Sequence, residues 1–347
     1  MKISVLLLGF GNVGREFCSL LERKGDKIFS EYGCTIQIKG ISTQRRGNLY
    51  SEEGLHMPSV FRAEEETGRI DCLRSNGLYI SPTLEDLLNN GDYHILVDTT
   101  FSSLETGEPA RTYMEKALSR GKSVVTCNKS PVFLWYHSLS SLARERGAKF
   151  LFEGTVMCGT PLFSLFRHGL PATEVLSFEG VLNGTCNYIL ELMRQGSTLD
   201  DALLDAQRRG YAEPDPSVDI DGWDSAYKAM IVAQAIMGAP RLTKDMIEVR
   251  GIREVTPEML NMTRIKGGVV RLLSKIERKQ NSFKIEVAPT ALPANHPLVT
   301  LYGVTNGAVL CTDTMGEICI EGAGAGSRFA AFALLQDVLS IANSMRR

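Results

Sequence analysis

The apolar run from Val5 to Leu8 stops at once on glycines, and Val13, Phe17, Leu20 and Leu21 then recur at helical spacing, which predicts a buried strand, a tight turn and a helix. A second strand is predicted from Cys34 to Ser42. Tyr93 to Asp98 and Lys122 to Thr126 read as further strands, with Ala110, Met114, Ala117 and Leu118 marking a helix between them. Strands alternating with helices predict an α/β parallel sheet. Between Gly47 and Leu78 clear periodicity is lost, and Glu64-Glu65-Glu66 reads as a solvated helix or excursion without chemistry of its own. From Phe283 to Ile320 the pattern alternates as strands do, and Phe329, Phe332, Leu335 and Leu339 form the apolar stripe of a closing helix.

The glycine turn is Gly9-Phe10-Gly11-Asn12-Val13-Gly14, a complete GxGxxG set between strand and helix. There it lets backbone amides and the helix dipole approach a pyrophosphate; a glycine turn without a ligand is the bland alternative. A dinucleotide-binding chain that prefers NAD usually carries an acid after its second strand, to hold the ribose hydroxyls. Here Ser42-Thr43-Gln44-Arg45-Arg46 stands instead. Two arginines suit a 2′-phosphate, which favours NADP with NAD as the alternative, unless both simply face water. Thr99, Thr100, Asn128 and Lys129 follow the carboxyl ends of strands and so should look toward cofactor or substrate.

At 347 residues two domains are the default, and 44% hydrophobic with 22% charged residues is ordinary for a globular protein. A net charge of -2 argues against nucleic acid or anionic membrane as partner and leaves small molecules. The N-terminal apolar run is too short for a signal core or a membrane span, so a cytoplasmic protein is expected. Eight scattered cysteines without a CxxC pair suggest thiols, with neither a disulfide framework nor a zinc site.

The densest chemistry lies in Ala206 to Lys228, where Glu213, Asp215, Asp219, Asp221 and Asp224 precede one lysine. Pro214 and Pro216 keep the acids up to Asp221 in a loop, whereas Asp224 can start a helix that sets it one turn before Lys228. Carboxylates favour a charged ammonium, a proton donor or fixed positive charge. The bland reading is a solvated ion pair contributing about 0.3 to 0.5 kcal/mol. Ser217, Asp219, Asp221 and Gly222 also mimic a calcium loop, but its twelfth position would be Lys228, and an ammonium repels the ion.

With the GFGNVG turn, the GKSVVTCNK strand and this acid-rich segment, the chain resembles the homoserine dehydrogenases over nearly its whole length. Glu153-Gly-Thr-Val156, Gly159-Thr-Pro161, Asn183-Gly-Thr-Cys-Asn-Tyr-Ile189, Gly303-Val-Thr-Asn-Gly307 and Gly322-Ala-Gly-Ala-Gly326 extend the match. The resemblance implies a Rossmann-type doubly wound cofactor domain over residues 1–151, completed by a C-terminal helix within 322–347. An α+β substrate and dimerisation domain would occupy 152–321. It implies NAD(P)-dependent interconversion of L-aspartate 4-semialdehyde and L-homoserine, toward threonine, methionine and isoleucine, by a homodimer.

In the family the lysine matching Lys228 meets the developing alkoxide. Asp224 would orient it, Glu213 would bind the substrate amino group, Asp219 would balance charge, and Lys129 would share the work near the cofactor. Gly210 and Gly322 match positions where backbone approaches the cofactor. A monovalent cation, sodium in the family, would be bound at Glu153, Val156, Cys158 and Thr160, mostly through carbonyls, although Met157-Cys158 departs from the glycine-rich pattern. Because the chain ends at Arg347, no regulatory module or fused aspartate kinase is expected. Competing readings are a reductase of another amino-acid-derived carbonyl, such as an aspartate dehydrogenase, and a silent NADP-binding sensor. Cys158 as an aldehyde-trapping nucleophile has no nearby histidine in sequence to activate it.

Overall fold

A computed structural model describes residues 1–76, 79–280 and 282–346. Leu78, which closes the aperiodic stretch, and Arg347, the last residue of the expected C-terminal segment, lie outside the described residues. The chain begins with β1 (Lys2–Leu8), α1 (Asn12–Tyr32), β2 (Thr35–Ser42), β3 (Asn48–Tyr50), α2 (Met57–Thr67) and α3 (Leu84–Asn90). It continues through β4 (Ile95–Asp98), α4 (Ala110–Ser119), β5 (Ser123–Thr126), α5 (Lys129–Glu145) and β6 (Phe150–Leu151). Next come α6 (Leu162–Ser164), β7 (Val175–Val181), α7 (Gly184–Arg194), α8 (Leu199–Arg208), α9 (Ser217–Ile220) and α10 (Trp223–Ala235). The last elements are β8 (Ile247–Val249), α11 (Pro257–Ile265), β9 (Val269–Arg278), β10 (Phe283–Leu292), β11 (Thr305–Thr312), β12 (Gly316–Ala323) and α12 (Ser327–Met345).

Two compact units result, one of residues 1–155 with 327–347 and one of residues 156–326. The first carries a sheet in the order β3-β2-β1-β4-β5-β6. It is parallel except for the β2–β3 pair. Its central strands are apolar at nearly every position because helices cover both faces of such a sheet. Phe17 and Leu21 of α1 and Leu334, Val338 and Ile341 of α12 share one core with Ile3, Val5 and Leu7 of β1. The chain order reverses at β1, whose neighbours are β2 and β4, and the carboxyl ends there form the crevice in which open α/β sheets bind ligands.

Three details differ from the sequence reading. The closing helix starts at Ser327, and Gly322 still belongs to β12. Its core face is Ala331, Leu334, Leu335 and Val338, whereas Phe329 and Phe332 are 43% and 47% exposed. Those residues join the core shared with α1 and β1, which leaves the two rings on the outer side of the helix. The stretch read as a solvated excursion holds β3 and α2, and Met57, Val60, Ala63 and Glu64 of α2 are buried.

The second unit carries a sheet ordered β12-β11-β7-β9-β10-β8, antiparallel except for β10 with β8. The α/β cofactor fold and the α+β second domain are both present. No described helix is long and apolar enough to cross a membrane. Phe17, fully buried between α1 and the sheet, carries much of the first core. Phe17→Ala is expected to lower the unfolding free energy by about 3 to 5 kcal/mol, read from urea denaturation followed by circular dichroism.

Candidate active site

In the first unit the turn after β1 is built for an anion. Gly9 sits at φ +90°, and a Cβ there would lie 2.7 Å from Thr99 Oγ1. A Cβ on Gly14 would lie 2.4 Å from the Gly9 carbonyl oxygen, so turn and helix can approach only as glycines. Thr99 locks the turn, its hydroxyl donating to the carbonyls of Leu8 and Gly9 at 3.0 and 3.1 Å. Helix α1 starts with no side-chain cap and no acid in its first turn, which leaves its amides and dipole for an external anion. A cavity of about 680 Å³ opens beside it, lined among others by Gly9, Phe10, Thr43, Arg45, Thr100 and Tyr113.

The two arginines differ. Arg46 is tied to the Phe10 carbonyl and to Glu64 Oε1, the latter at 3.1 Å, and Glu64 also pairs with Arg15. Glu64, read from the sequence as solvated, is in fact a buried anchor between the glycine turn and the end of β2. Arg45 is exposed on the cavity rim and makes no ion pair among the described residues.

Asp98, fully buried at the end of β4, organises the neighbouring strand ends. Its carboxylate accepts from the Thr100 amide (3.2 Å) and hydroxyl (2.6 Å), from the Thr126 hydroxyl (3.0 Å) and from Asn128 Nδ2 (3.4 Å). Lys129 follows as the half-buried first residue of α5. Strand β5 lies between β4 and β6, so Lys129 does not follow an edge strand. Sequence reading passed over Asp98, although an acid ending an all-apolar strand was the available signal.

In the second unit the acid-rich segment sorts itself. Lys228 Nζ lies 2.7 Å from Asp224 Oδ2, with the two side chains only 9% and 7% exposed. This is a buried pair, not the solvated alternative. The same ammonium donates to the Leu182 carbonyl at 2.6 Å. Asn183 Nδ2 donates to Asp219 Oδ1 at 2.7 Å and to Asp224 Oδ2 at 2.9 Å, while its Oδ1 caps α7 through the Cys186 amide. Asn183 therefore links the two acids, a role that sequence reading missed because its partners lie far along the chain, in α9 and in α10.

The other carboxylates work elsewhere: Asp221 pairs with Arg253, and Asp215 accepts from the Ser217 amide at 3.1 Å. Short helix α9 interrupts the predicted loop at Asp219. Glu213 stays exposed, its backbone carbonyl accepting from Gln207 at 3.1 Å. Gly210 lies two residues beyond α8 at φ +72°, and Gly322 presses on Thr160, whose Oγ1 would lie 2.1 Å from an added Cβ.

Of the expected cation residues, Glu153 is fully buried in the first unit, and its amide donates to Asp337 Oδ2 at 2.7 Å. Val156, Cys158 and Thr160 belong to the second, where Cys158 takes φ +52° and its thiol reaches the Gly326 carbonyl at 3.6 Å. Among the described residues no cluster of three or more His, Cys, Asp or Glu could hold a metal through side chains. Cys186, whose thiol donates to the Asp219 carbonyl at 3.2 Å, is fully buried; burial, with the negative charges of Asp219 and Asp224, raises it far from a thiolate.

A dinucleotide-binding sheet in one unit and a buried lysine held by carboxylate and carbonyl in the other define an NAD(P)-dependent oxidoreductase. The family model for the homoserine dehydrogenase NAD-binding domain matches residues 9–153, and that for homoserine dehydrogenase itself matches residues 161–339. A homoserine dehydrogenase of Methanocaldococcus jannaschii is 34% identical, over 99% of this chain and 100% of that protein. An NAD(+)-dependent homoserine dehydrogenase of Pseudomonas canavaninivorans is 32% identical, over 100% and 98%. A hyperthermophilic archaeal homoserine dehydrogenase solved with NADPH superposes with a TM-score of 0.84 at 32% identity, covering 100% of this chain and 99% of that one. The chain belongs to the homoserine dehydrogenase family, NAD(P)-dependent enzymes that interconvert L-homoserine and L-aspartate 4-semialdehyde.

Burial raises the Asp98 carboxyl above its ordinary value, and the bonds from Thr100, Thr126 and Asn128 offset this only in part. The folded state thus holds the Asp98 proton more tightly than the unfolded chain does. Asp98 costs nothing below its unfolded value and costs stability progressively as pH rises through its folded one. The difference in unfolding free energy between Asp98→Asn and the parent is therefore expected to move in favour of the variant across that window and to level off above it. Urea denaturation at a series of pH values measures this.

Proposed function

We propose that Lys228 donates the proton when L-aspartate 4-semialdehyde is reduced to L-homoserine, and receives it in the reverse direction. One observation carries the reading: of the three N–H bonds of the Lys228 ammonium, one is held by Asp224 and one by the Leu182 carbonyl, which leaves a single oriented donor. The bound nicotinamide supplies or receives the hydride. As the aldehyde carbon gains it, the carbonyl oxygen becomes an alkoxide, and the third N–H of Lys228 meets that charge and transfers its proton. Asp224 orients the ammonium, Asp219 adds negative charge through Asn183, and exposed Glu213 takes the substrate ammonium. Lys129, at the start of α5, serves the coenzyme side.

The coenzyme we assign is NADP. The amides at the start of α1 hold the pyrophosphate, Thr99 and Thr100 line the crevice, and uncommitted Arg45 takes the 2′-phosphate, with Arg46 bound to Glu64 as its support. The NAD-dependent relative leaves NAD as a second coenzyme. A sodium ion held by Glu153 with the carbonyls of Val156, Cys158 and Thr160 belongs to the same proposal. Hard oxygen donors suit it, and Cys158 at φ +52° supplies the left-handed turn that glycine would otherwise provide. Atomic absorption after dialysis into choline salt, with thermal unfolding alongside, tests it: a chain that carries no sodium and melts alike with or without it has no such site.

We also assign a homodimer, supported by the exposed apolar residues Leu176, Tyr302 and Met315 on the second unit, and a cytoplasmic location, supported by the biosynthetic relatives. A monomer in sedimentation equilibrium at working concentration would refute the dimer. A reporter fusion found outside the cytoplasm would refute the location.

Homoserine-dependent reduction of NADP and NAD tests the central reading. Lys228→Ala is expected to lose roughly a hundredfold or more in kcat, with folding checked because it strands a buried carboxylate. Lys228→Arg keeps charge but holds its proton too tightly to donate it; wild-type turnover in that variant would reduce Lys228 to a fixed charge. Arg45→Ala is expected to lower kcat/KM with NADP by roughly ten- to a hundredfold and to leave NAD unchanged; an equal loss with both would refute the phosphate assignment.

A further inference from the structure

We infer that Asn306 is a positioning residue for this reaction, acting through the Leu182–Asn183 peptide; the inference rests on Lys228 as proton donor. Asn306 is fully buried near the start of β11, in the GVTNG segment, to which no role has so far fallen. Because Gly307 pairs with Val181 in the β11–β7 ladder, the preceding residue of β11 comes beside the residue that follows β7, and Asn306 Nδ2 donates to the Leu182 carbonyl at 3.0 Å. That oxygen is the one that accepts from Lys228 at 2.6 Å. A carbonyl has two lone pairs, and here both face buried donors.

The next residue on the same peptide unit is Asn183, whose amide holds Asp224, the other acceptor of the ammonium. Fixing this one peptide therefore fixes both groups that aim Lys228. The other end of the Asn306 amide supplies the second argument. Its Oδ1 has no hydrogen-bond partner among the described residues, and an unmatched buried oxygen is a cost that a leucine of similar size would avoid. The amide is held there for what its Nδ2 does. Gly324 closes over it: an added Cβ would stand 2.3 Å from Oδ1 and 2.8 Å from Nδ2.

The test is a double-mutant cycle on the full-length enzyme with homoserine and NADP, using Asn306→Leu, Lys228→Ala and the double variant. Asn306→Leu is expected to lower kcat roughly ten- to a hundredfold with little change in KM, since the aim of the donor matters most as the alkoxide forms. The double variant is expected to fall no further than Lys228→Ala alone, because a residue that acts through Lys228 has nothing left to position. A merely structural role would instead multiply the two losses. Gly324→Ala, which displaces the amide while keeping both asparagine and lysine, is expected to show the same loss in kcat and serves where Asn306→Leu does not fold. Full turnover in Lys228→Ala would overturn the proton-donor reading itself. A normal kcat in Asn306→Leu or Gly324→Ala beside an inactive Lys228→Ala, or losses that multiply, would overturn only the positioning role.

Discussion

The buried ion pair between Lys228 and Asp224 is the constraint around which the second unit is arranged. Two charges withdrawn from water are costly, and their mutual attraction repays the cost only when the remaining donors and acceptors are satisfied. The chain answers with a closed set of bonds: the Leu182 carbonyl on the ammonium, Asn183 on the carboxylate, and Asp219 drawn in by the same asparagine. These groups come from the residues that follow β7, from α9 and from α10. The antiparallel sheet and the Pro-rich turn exist locally to deliver them to one point. What results is an ammonium with two of its three N–H bonds committed to buried acceptors.

The first unit solves a different electrostatic problem, that of receiving a polyanion largely through backbone amides. Backbone amides at the start of α1 serve because no side chain or acid competes for them. The approach of β1, Thr99 and α1 needs glycines at two points, Gly9 and Gly14. Glu64 refines the arrangement by binding Arg15 and Arg46 across the glycine turn, which leaves Arg45 as the rim cation. A buried carboxylate in this place looks adverse for an anion site until its two guanidinium partners are counted.

Much of this was legible beforehand. The glycine turn in its strand-to-helix setting, the carboxyl-end positions Thr99, Thr100, Asn128 and Lys129, and the Asp224–Lys228 helix pair all follow from local periodicity and turn chemistry, which act over a few residues. The surroundings of those residues were not legible. Glu64 sits in a run of three identical acids, and only the packing of α2 on its Met57, Val60 and Ala63 face decides which of the three is buried. The closing helix deceived for the same reason: its phenylalanines form a plausible stripe, yet the face with Ala331, Leu334, Leu335 and Val338 is the one that joins the core.

The sequence by itself thus determined most of the element types, the glycine turn between β1 and α1 and the one-turn spacing of Asp224 and Lys228, because each rests on residues that interact across one turn of helix or one step of strand. Only the tertiary structure decided that the lysine–acid pair is buried, that Asp215 and Asp221 stand apart from it, and that Asn183, Asp98 and Glu64 hold the site together. Those outcomes depend on strand register and helix packing between segments far apart in the chain, and a hydrogen bond between such segments has no local pattern in the sequence to announce it.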